Sequence, residues 1–120
     1  MRAMFLVVVA LVSVAPAGAG DKLAMRCSPA VSFAPANLVV RAFIEANADN
    51  RILEIVAESG DFYRSSAIQL DGDRAPHTNQ FEFRSLPPGN YEIVATLVGS
   101  SGRTRAAVRQ DINVISSNGR

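Results

Sequence analysis

The chain has 120 residues, a formal net charge of +1, one cysteine, one histidine and no tryptophan. This length fits a single domain with a modest apolar core, so folding does not require a metal or disulfides. The near-neutral charge argues against nucleic acid as the main partner, because phosphate binding needs a basic excess. A single cysteine also excludes an intramolecular disulfide.

The first nineteen residues show the features of a signal peptide in the expected order. Arg2 supplies a short positive region, Met4–Val14 is an apolar run, and Ala17–Ala19 places small residues at a cleavage site. The apolar run is shorter than a typical membrane span, and the alternatives are a buried strand or a short anchor. We predict that residues 1–19 are a cleavable signal peptide and that the protein is periplasmic or secreted.

The only cysteine, Cys27, lies well beyond this apolar run and follows Ala24, Met25 and Arg26. That position does not suit lipid attachment, although a free thiol in an exported chain can pair with another molecule. Because a free cysteine usually behaves as a small apolar residue, we expect a buried thiol.

Short alternating segments separated by turn residues dominate the rest of the chain. Apolar residues on both faces of Arg51–Glu58 indicate a central strand, or one whose edge is covered by a neighbour. Phe62–Leu70 is weaker and indicates a position near an edge. Met25–Phe33, interrupted by Pro29, is a candidate additional edge strand. The six other predicted strands are Leu38–Ala46, Arg51–Glu58, Phe62–Leu70, Asn79–Arg84, Tyr91–Val98 and Arg103–Ile115. The pattern predicts an all-β fold, an antiparallel sandwich of six to seven strands over residues 20–115, with residues 116–120 as a flexible tail.

The turn between the fourth and fifth of these six strands has a distinctive composition. Pro87, Pro88 and Gly89 cannot continue a sheet ladder, and Tyr91 follows them directly. This order matches a structural corner in which a tyrosine ties the turn to the following strand. Pro-Gly-x-Tyr is also common in transthyretin-like and carboxypeptidase-regulatory-like sandwiches.

Together with Ala95–Gly102 and Ala106–Val114, this corner resembles the bacterial immunoglobulin-like and fibronectin-type-III-like modules of exported proteins. The resemblance implies an immunoglobulin-like β-sandwich. The chain departs from the antibody type, since it lacks the tryptophan and the pair of core cysteines. Ile93 stands where that type has its second cysteine.

The residues that carry chemistry in enzymes are sparse. His77 is the only histidine and lies in a polar loop, so it lacks the partners of a catalytic triad or a zinc site. Asp71 and Asp73 suit a turn better than a calcium site, which needs six or more oxygen ligands. We therefore predict no enzyme activity, no catalytic residues, no metal ligands and no cofactor.

Weak candidates for partner contact are Phe43, Arg103, Arg105 and Arg109. Phe43 alternates opposite to Ile44 and suggests a small apolar patch. The three arginines share one parity of the last predicted strand, where they can meet an anionic surface or protect an edge from pairing.

The function expected from these features is an exported, non-catalytic binding module that acts through loops or an exposed strand edge. Its expected partner is another envelope or extracellular protein, with no nucleic acid, no membrane span after cleavage and no small-molecule ligand indicated. The alternatives are a structural accessory of an envelope assembly and a small ligand carrier. An aromatic-lined pocket favours the carrier, and a single unprotected edge favours the binding module.

Overall fold

The computed structural model describes residues 22–116, which form an all-β sandwich. The predicted signal peptide and all of the predicted tail except Ser116 lie outside the described residues. No helix within residues 22–116 has the length and apolarity needed to cross a bilayer. The strands are β1 (Leu23–Ser28), β2 (Val31–Phe33), β3 (Ala36–Ile44), β4 (Asn50–Ser59), β5 (Phe62–Gln69), β6 (Thr78–Leu86), β7 (Gly89–Gly99) and β8 (Thr104–Ile115).

The strands form a three-stranded sheet with the order β1-β3-β6 and a five-stranded sheet with the order β2-β8-β7-β4-β5. All neighbours are antiparallel except β2 and β8, which are parallel. The two sheets face each other across the apolar core. The predicted central position of β4 and the predicted edge position of β5 are both confirmed.

The prediction of one strand across Met25–Phe33 is wrong, and so is the count of six to seven. The described residues contain eight strands, because the chain leaves the first sheet after Ser28 and enters the second at Val31. Pro29 lies between these strands and has no N–H to donate, so a ladder does not continue through it. The crossing makes β2 an edge of the five-stranded sheet.

Strict alternation places one face of each long strand in the core. In β7 every second residue from Tyr91 to Leu97 is buried, which is the period expected for a strand with one face in the core. Burial of each large apolar side chain stabilises the fold by about 1.5–3 kcal/mol. The fully buried side chains include Leu23, Leu38, Leu53, Ile55, Leu86, Tyr91, Ile93 and Leu97.

Cys27 is part of this core, as predicted, with 6% of its surface exposed. Burial raises the pKa of its thiol to about 12, because the thiolate loses its hydration. The thiol therefore stays protonated at neutral pH, and Cys27 acts as a small apolar residue of β1.

Candidate functional site

The sandwich has four edge strands, β1 and β6 in one sheet and β2 and β5 in the other. The outer side of β8 is also unpaired over residues 104–112, because β2 pairs only with Asn113–Ile115, but this stretch carries a bulge at Arg105 and the charged residues Arg109 and Asp111, which protect it. An edge strand exposes N–H and C=O groups that can pair with another strand. Proteins usually protect such edges by short length, proline, charged side chains, bulges or local capping. The four edges differ sharply in this respect.

The edges of β1 and β2 are protected. β2 has only three residues and lies between Pro29 and Pro35, so it offers little ladder to a partner. β1 has six residues, and the backbone N–H of Cys27 donates to the side-chain oxygen of Gln110 in the other sheet at 3.3 Å.

The edge of β6 is longer, but its second half is charged and partly occupied. Glu82 and Arg84 form an ion pair at 3.4 Å, and the carbonyl of Arg84 accepts a hydrogen bond from Arg64 at 2.8 Å. The N–H of Ser85 donates to the side chain of Asn37 at 3.1 Å, and Ser85 has a positive φ of 58° that distorts the strand. These features oppose regular pairing along β6.

The edge of β5 lacks these protections, apart from a single charged residue. Its eight residues pair with β4 without a register shift, from Phe62 opposite Ser59 to Gln69 opposite Ile52. The strand contains no proline and one charged residue, Arg64. The Arg64 guanidinium is held by its own chain, 5.1 Å from the centre of the Phe62 ring and hydrogen-bonded to the Arg84 carbonyl.

The pattern of hydrogen bonds between β5 and β4 shows which backbone groups of β5 face outward. The N–H of Leu70 donates to the carbonyl of Arg51 at 2.7 Å, so the even-numbered residues point toward β4. The four odd-numbered residues therefore direct N–H and C=O groups to the open edge. Among residues 22–116, no backbone hydrogen bond ties these four to a segment outside the sheet. They are Tyr63, Ser65, Ala67 and Gln69, and all four are exposed.

The start of β5 is held in place by the predicted corner. The β6–β7 link consists of Pro87 and Pro88, and the Tyr91 hydroxyl donates to the carbonyl of Pro87 at 2.6 Å. The Tyr91 ring packs edge-to-face on Phe62, with centroids 5.6 Å apart. Burial raises the pKa of Tyr91, which keeps the hydroxyl protonated and able to donate.

Gly89 completes the corner through a close approach to β4. A Cβ atom at this position would lie 2.8 Å from the hydroxyl oxygen of Ser59, so a larger residue would force a shift. The corner thus joins the β6–β7 link to the β4–β5 hairpin and fixes the position of the open edge.

The residues that sequence reasoning singled out for partner contact are scattered. Phe43 lies on the outer face of the three-stranded sheet and is 38% exposed. Arg109 lies on the outer face of the other sheet and pairs with Glu92 at 3.1 Å, whereas Arg103 precedes β8 and is exposed. The structure does not bring these three into one surface.

Arg105 differs from the other two arginines, because the parity that all three share in the sequence does not place its side chain in solvent with theirs. A register shift between Leu97 and Val98 makes Arg105 an extra residue of β8, and its side chain is only 13% exposed. It donates a hydrogen bond of 2.5 Å to the side-chain oxygen of Asn50, which is completely buried.

Arg105 belongs to a polar network, the end network, which consists of Asp49, Asn50, Ser100 and Arg105. Sequence reasoning did not identify this network. The Asp49 carboxylate accepts hydrogen bonds from the hydroxyl and the N–H of Ser100, and lies 3.7 Å from the Arg105 guanidinium. The Ser100 hydrogen bonds, assisted by the charge of Arg105, lower the pKa of Asp49. The Asn50 amide donates to the Glu45 carbonyl at 3.0 Å. The only sequence signal was the polar turn before Asn50.

An open depression of about 860 Å³ lies near the corner, on the outer face of the five-stranded sheet. Cross-strand pairing places Glu58 opposite Glu92 and Glu92 opposite Asp111, so its floor is acidic. Tyr91 is the single aromatic residue in its lining. Among residues 22–116, no group of three histidine, cysteine, aspartate or glutamate side chains is placed to hold a metal.

Fold and edge together define a β-sandwich with one open strand. No protein-family model and no curated protein sequence matches the chain. Among solved structures, a family 76 glycoside hydrolase from a bovine Bacteroides thetaiotaomicron strain is 15% identical with a TM-score of 0.58, over 83% of this chain and 22% of the hydrolase. This chain therefore spans about a fifth of that enzyme.

Two other solved structures share the fold. Superoxide reductase (neelaredoxin) from Ignicoccus hospitalis is 13% identical with a TM-score of 0.57, covering 78% of this chain and 80% of the reductase. The sporulation control protein Spo0M from Bacillus subtilis is 14% identical with a TM-score of 0.50, covering 79% and 49%. At such identities the likeness shows a common sandwich architecture alone.

Proposed function

We propose that this protein is an exported, non-catalytic interaction module that binds an envelope or extracellular protein through the edge of β5. The observation that carries the proposal is the contrast among the four edges. β5 alone, within the described residues, combines regular pairing, useful length and outward backbone groups without proline, bulge or capping. Such an edge is a template for strand addition.

The strand order supports placing the module in the immunoglobulin-like class. In that class a three- or four-stranded sheet faces a second sheet, and a tyrosine near the start of a late strand bonds back to the preceding turn. Here β1-β3-β6 faces the other sheet, and Tyr91 bonds to a carbonyl four residues upstream. Export is supported by the charge, apolar run and small residues of positions 1–19.

Strand addition would use the outward backbone groups for affinity and the flanking side chains for selectivity. Ser65 and Ala67 are small and exposed, so they leave room for larger side chains of an incoming strand. Tyr63 is 61% exposed and offers an aromatic surface at one end of the edge. The depression is open and has Tyr91 as its single aromatic residue, whereas a ligand carrier usually encloses its ligand in a pocket lined by apolar and aromatic side chains.

The test is affinity capture from the envelope fraction of the source cells, with mass spectrometry of the retained proteins. Ala67→Pro removes an outward N–H and blocks the edge without removing a bond to β4, and Ala67→Ser is the matched control that keeps the N–H. We expect wild type and Ala67→Ser to retain a specific protein and Ala67→Pro to lose it.

Equal capture by all three variants would refute the role of β5. Recovery of no specific protein by the wild type would count against a binding module and favour the structural-accessory alternative. Circular dichroism of each variant establishes that capture is compared between folded proteins.

A further inference from the structure

We infer that the strand that fills the β5 edge is β5 of a second copy of this chain, paired antiparallel about a two-fold axis at Ser65. This inference rests on the proposed function, because it names the partner of the same edge. Three features support it: β5 can pair with its own copy, like charges disfavour the two neighbouring registers, and the paired sheet leaves no unprotected edge.

Hydrogen bonding restricts the registers that two copies can adopt. Only the odd-numbered residues of β5 direct backbone groups outward, so odd-numbered residues must pair with odd-numbered residues of the second copy. The two-fold axis near the middle of the strand then passes through Arg64, Ser65 or Ser66. Moving the axis by one residue along β5 shifts the partner of every residue by two positions.

Charge excludes the outer two registers. An axis at Arg64 places this arginine directly opposite Arg64 of the second copy. An axis at Ser66 brings Asp61, which directly precedes β5, level with Asp71 of the second copy, which lies just after its β5, and does so twice. Like charges that face each other directly across two strands destabilise the pair.

The axis at Ser65 has neither conflict and matches side chains by size. It places Tyr63 opposite Ala67, a large residue against a small one. Phe62 then faces Ile68, both partly buried apolar residues that already pack on the core. Arg64 faces Ser66, Asp61 faces Gln69, and Ser65 meets its own copy.

This register also supplies a regular ladder. Three pairs of residues meet through their outward groups, since Tyr63, Ser65 and Ala67 face Ala67, Ser65 and Tyr63 of the second copy. With two bonds in each such pair, about six backbone hydrogen bonds form. The four N–H groups that β5 leaves unpaired on each copy are thereby mostly used.

The pairing closes the assembly. A contact of β5 with itself is isologous, so each copy uses the same surface and none remains for a third chain. The far side of the joined sheet consists of β2, which has three residues between two prolines, and of the bulged and charged stretch of β8 that β2 does not cover. Pairing through β5 therefore covers the edge that lacks protection, and the assembly does not extend into a fibre.

The first test measures the mass of the exported protein by sedimentation equilibrium, after expression of the full chain. We expect twice the monomer mass for wild type and for Ala67→Ser, and the monomer mass for Ala67→Pro with an unchanged circular-dichroism spectrum. A wild type that stays monomeric up to high micromolar concentration would overturn the inference. So would an Ala67→Pro variant that is folded and still dimeric.

The second test reads the register by disulfide formation. With the axis at Ser65, the two Cα atoms of this residue lie about 5.5 Å apart, which a disulfide can bridge. The two Ser66 Cα atoms are offset diagonally by about 8 Å, beyond disulfide reach. We expect Ser65→Cys to form a covalent dimer on mild oxidation and Ser66→Cys to remain uncrosslinked, and the reverse result would overturn the register.

Native Cys27 does not confuse this reading because it is buried in the core of each copy. The two proposals fail separately. A monomeric protein whose β5 edge still captures a different envelope protein overturns the dimer and keeps the binding function. A wild type that is monomeric and captures no envelope protein through the β5 edge overturns both proposals.

Discussion

The two ends of β7 are fastened by different physical means. At its start, Tyr91 is held by one neutral hydrogen bond to Pro87 and by the ring of Phe62. At its far end, Ser100 follows the strand and joins the end network, where Asp49 and Arg105 carry opposite charges around buried Asn50. One strand thus depends on shape at one end and on charge at the other, so the two ends should respond differently to mutation and to pH.

The largest difference should come from removing Arg105. Arg105→Met keeps the side-chain length but leaves the oxygen of buried Asn50 without its donor, so we expect a loss of about 3 kcal/mol in the free energy of unfolding. Arg103→Met, two residues earlier in the exposed loop, should change stability by less than about 0.5 kcal/mol. Urea unfolding of both variants checks this. Equal values would mean that the end network does not stabilise the fold.

A second effect concerns the space beside Asp49. A Cβ atom at Gly99 would clash with the Asp49 carboxylate and approach the Arg105 side chain to 3.1 Å. We expect Gly99→Ala to cost about 2 kcal/mol through overpacking. Gly60 has open space around its Cβ position, so Gly60→Ala is the matched control and should be neutral or slightly stabilising. Thermal unfolding distinguishes the two, and indistinguishable midpoints would contradict the clash.

At the corner the expected effect is smaller. Tyr91→Phe keeps the ring and its contact with Phe62 but removes the hydrogen bond to Pro87, so the loss should be about 1 kcal/mol. The measurement is the urea midpoint at constant slope. An unchanged midpoint would mean that Tyr91 serves the core as a ring alone.

The smallest and most diagnostic effect is that of pH. The pKa of Asp49 in the folded protein lies below its ordinary value of 3.8, so its stabilising contribution is complete above that value and is lost as pH falls through the folded pKa. We expect the wild type to lose more stability below pH 4 than Asp49→Asn, whereas Tyr91→Phe should keep the pH dependence of the wild type. Parallel curves for wild type and Asp49→Asn would exclude a role for this carboxylate.

Much of the fold was predictable because alternation is a local property. The alternating apolar residues of the predicted strands that became β6 and β7, including Phe81, Phe83 and Ile93, are buried, in keeping with the period of a half-buried strand. The edge position of β5 was also predictable from its weaker apolar pattern. The identity of the open edge was not, since protection of the other edges depends on Gln110, Asn37 and the short length of β2.

The end network shows why other features of the fold could not be predicted from the sequence. Arg105 looked like one of three arginines on a single face, and only the bulge opposite Leu97 and Val98 turns it toward Asn50. Arg105 and Asn50 are 55 positions apart, and no local sequence pattern indicates a hydrogen bond between them. A one-residue shift of register reverses the face on which a side chain lies, so a bulge decides burial.

The all-β class, the core faces and the turn of Pro87, Pro88 and Gly89 follow from local sequence, because alternation, proline and glycine act within a few residues. The order of the strands, the crossing between sheets at Pro29 and the burial of Arg105 arise only from long-range contacts. These features depend on which distant segments pair with each other, and the free energy that favours one pairing over another comes from contacts throughout the sandwich. The open edge of β5 is the consequence of this choice that matters most for the proposed function.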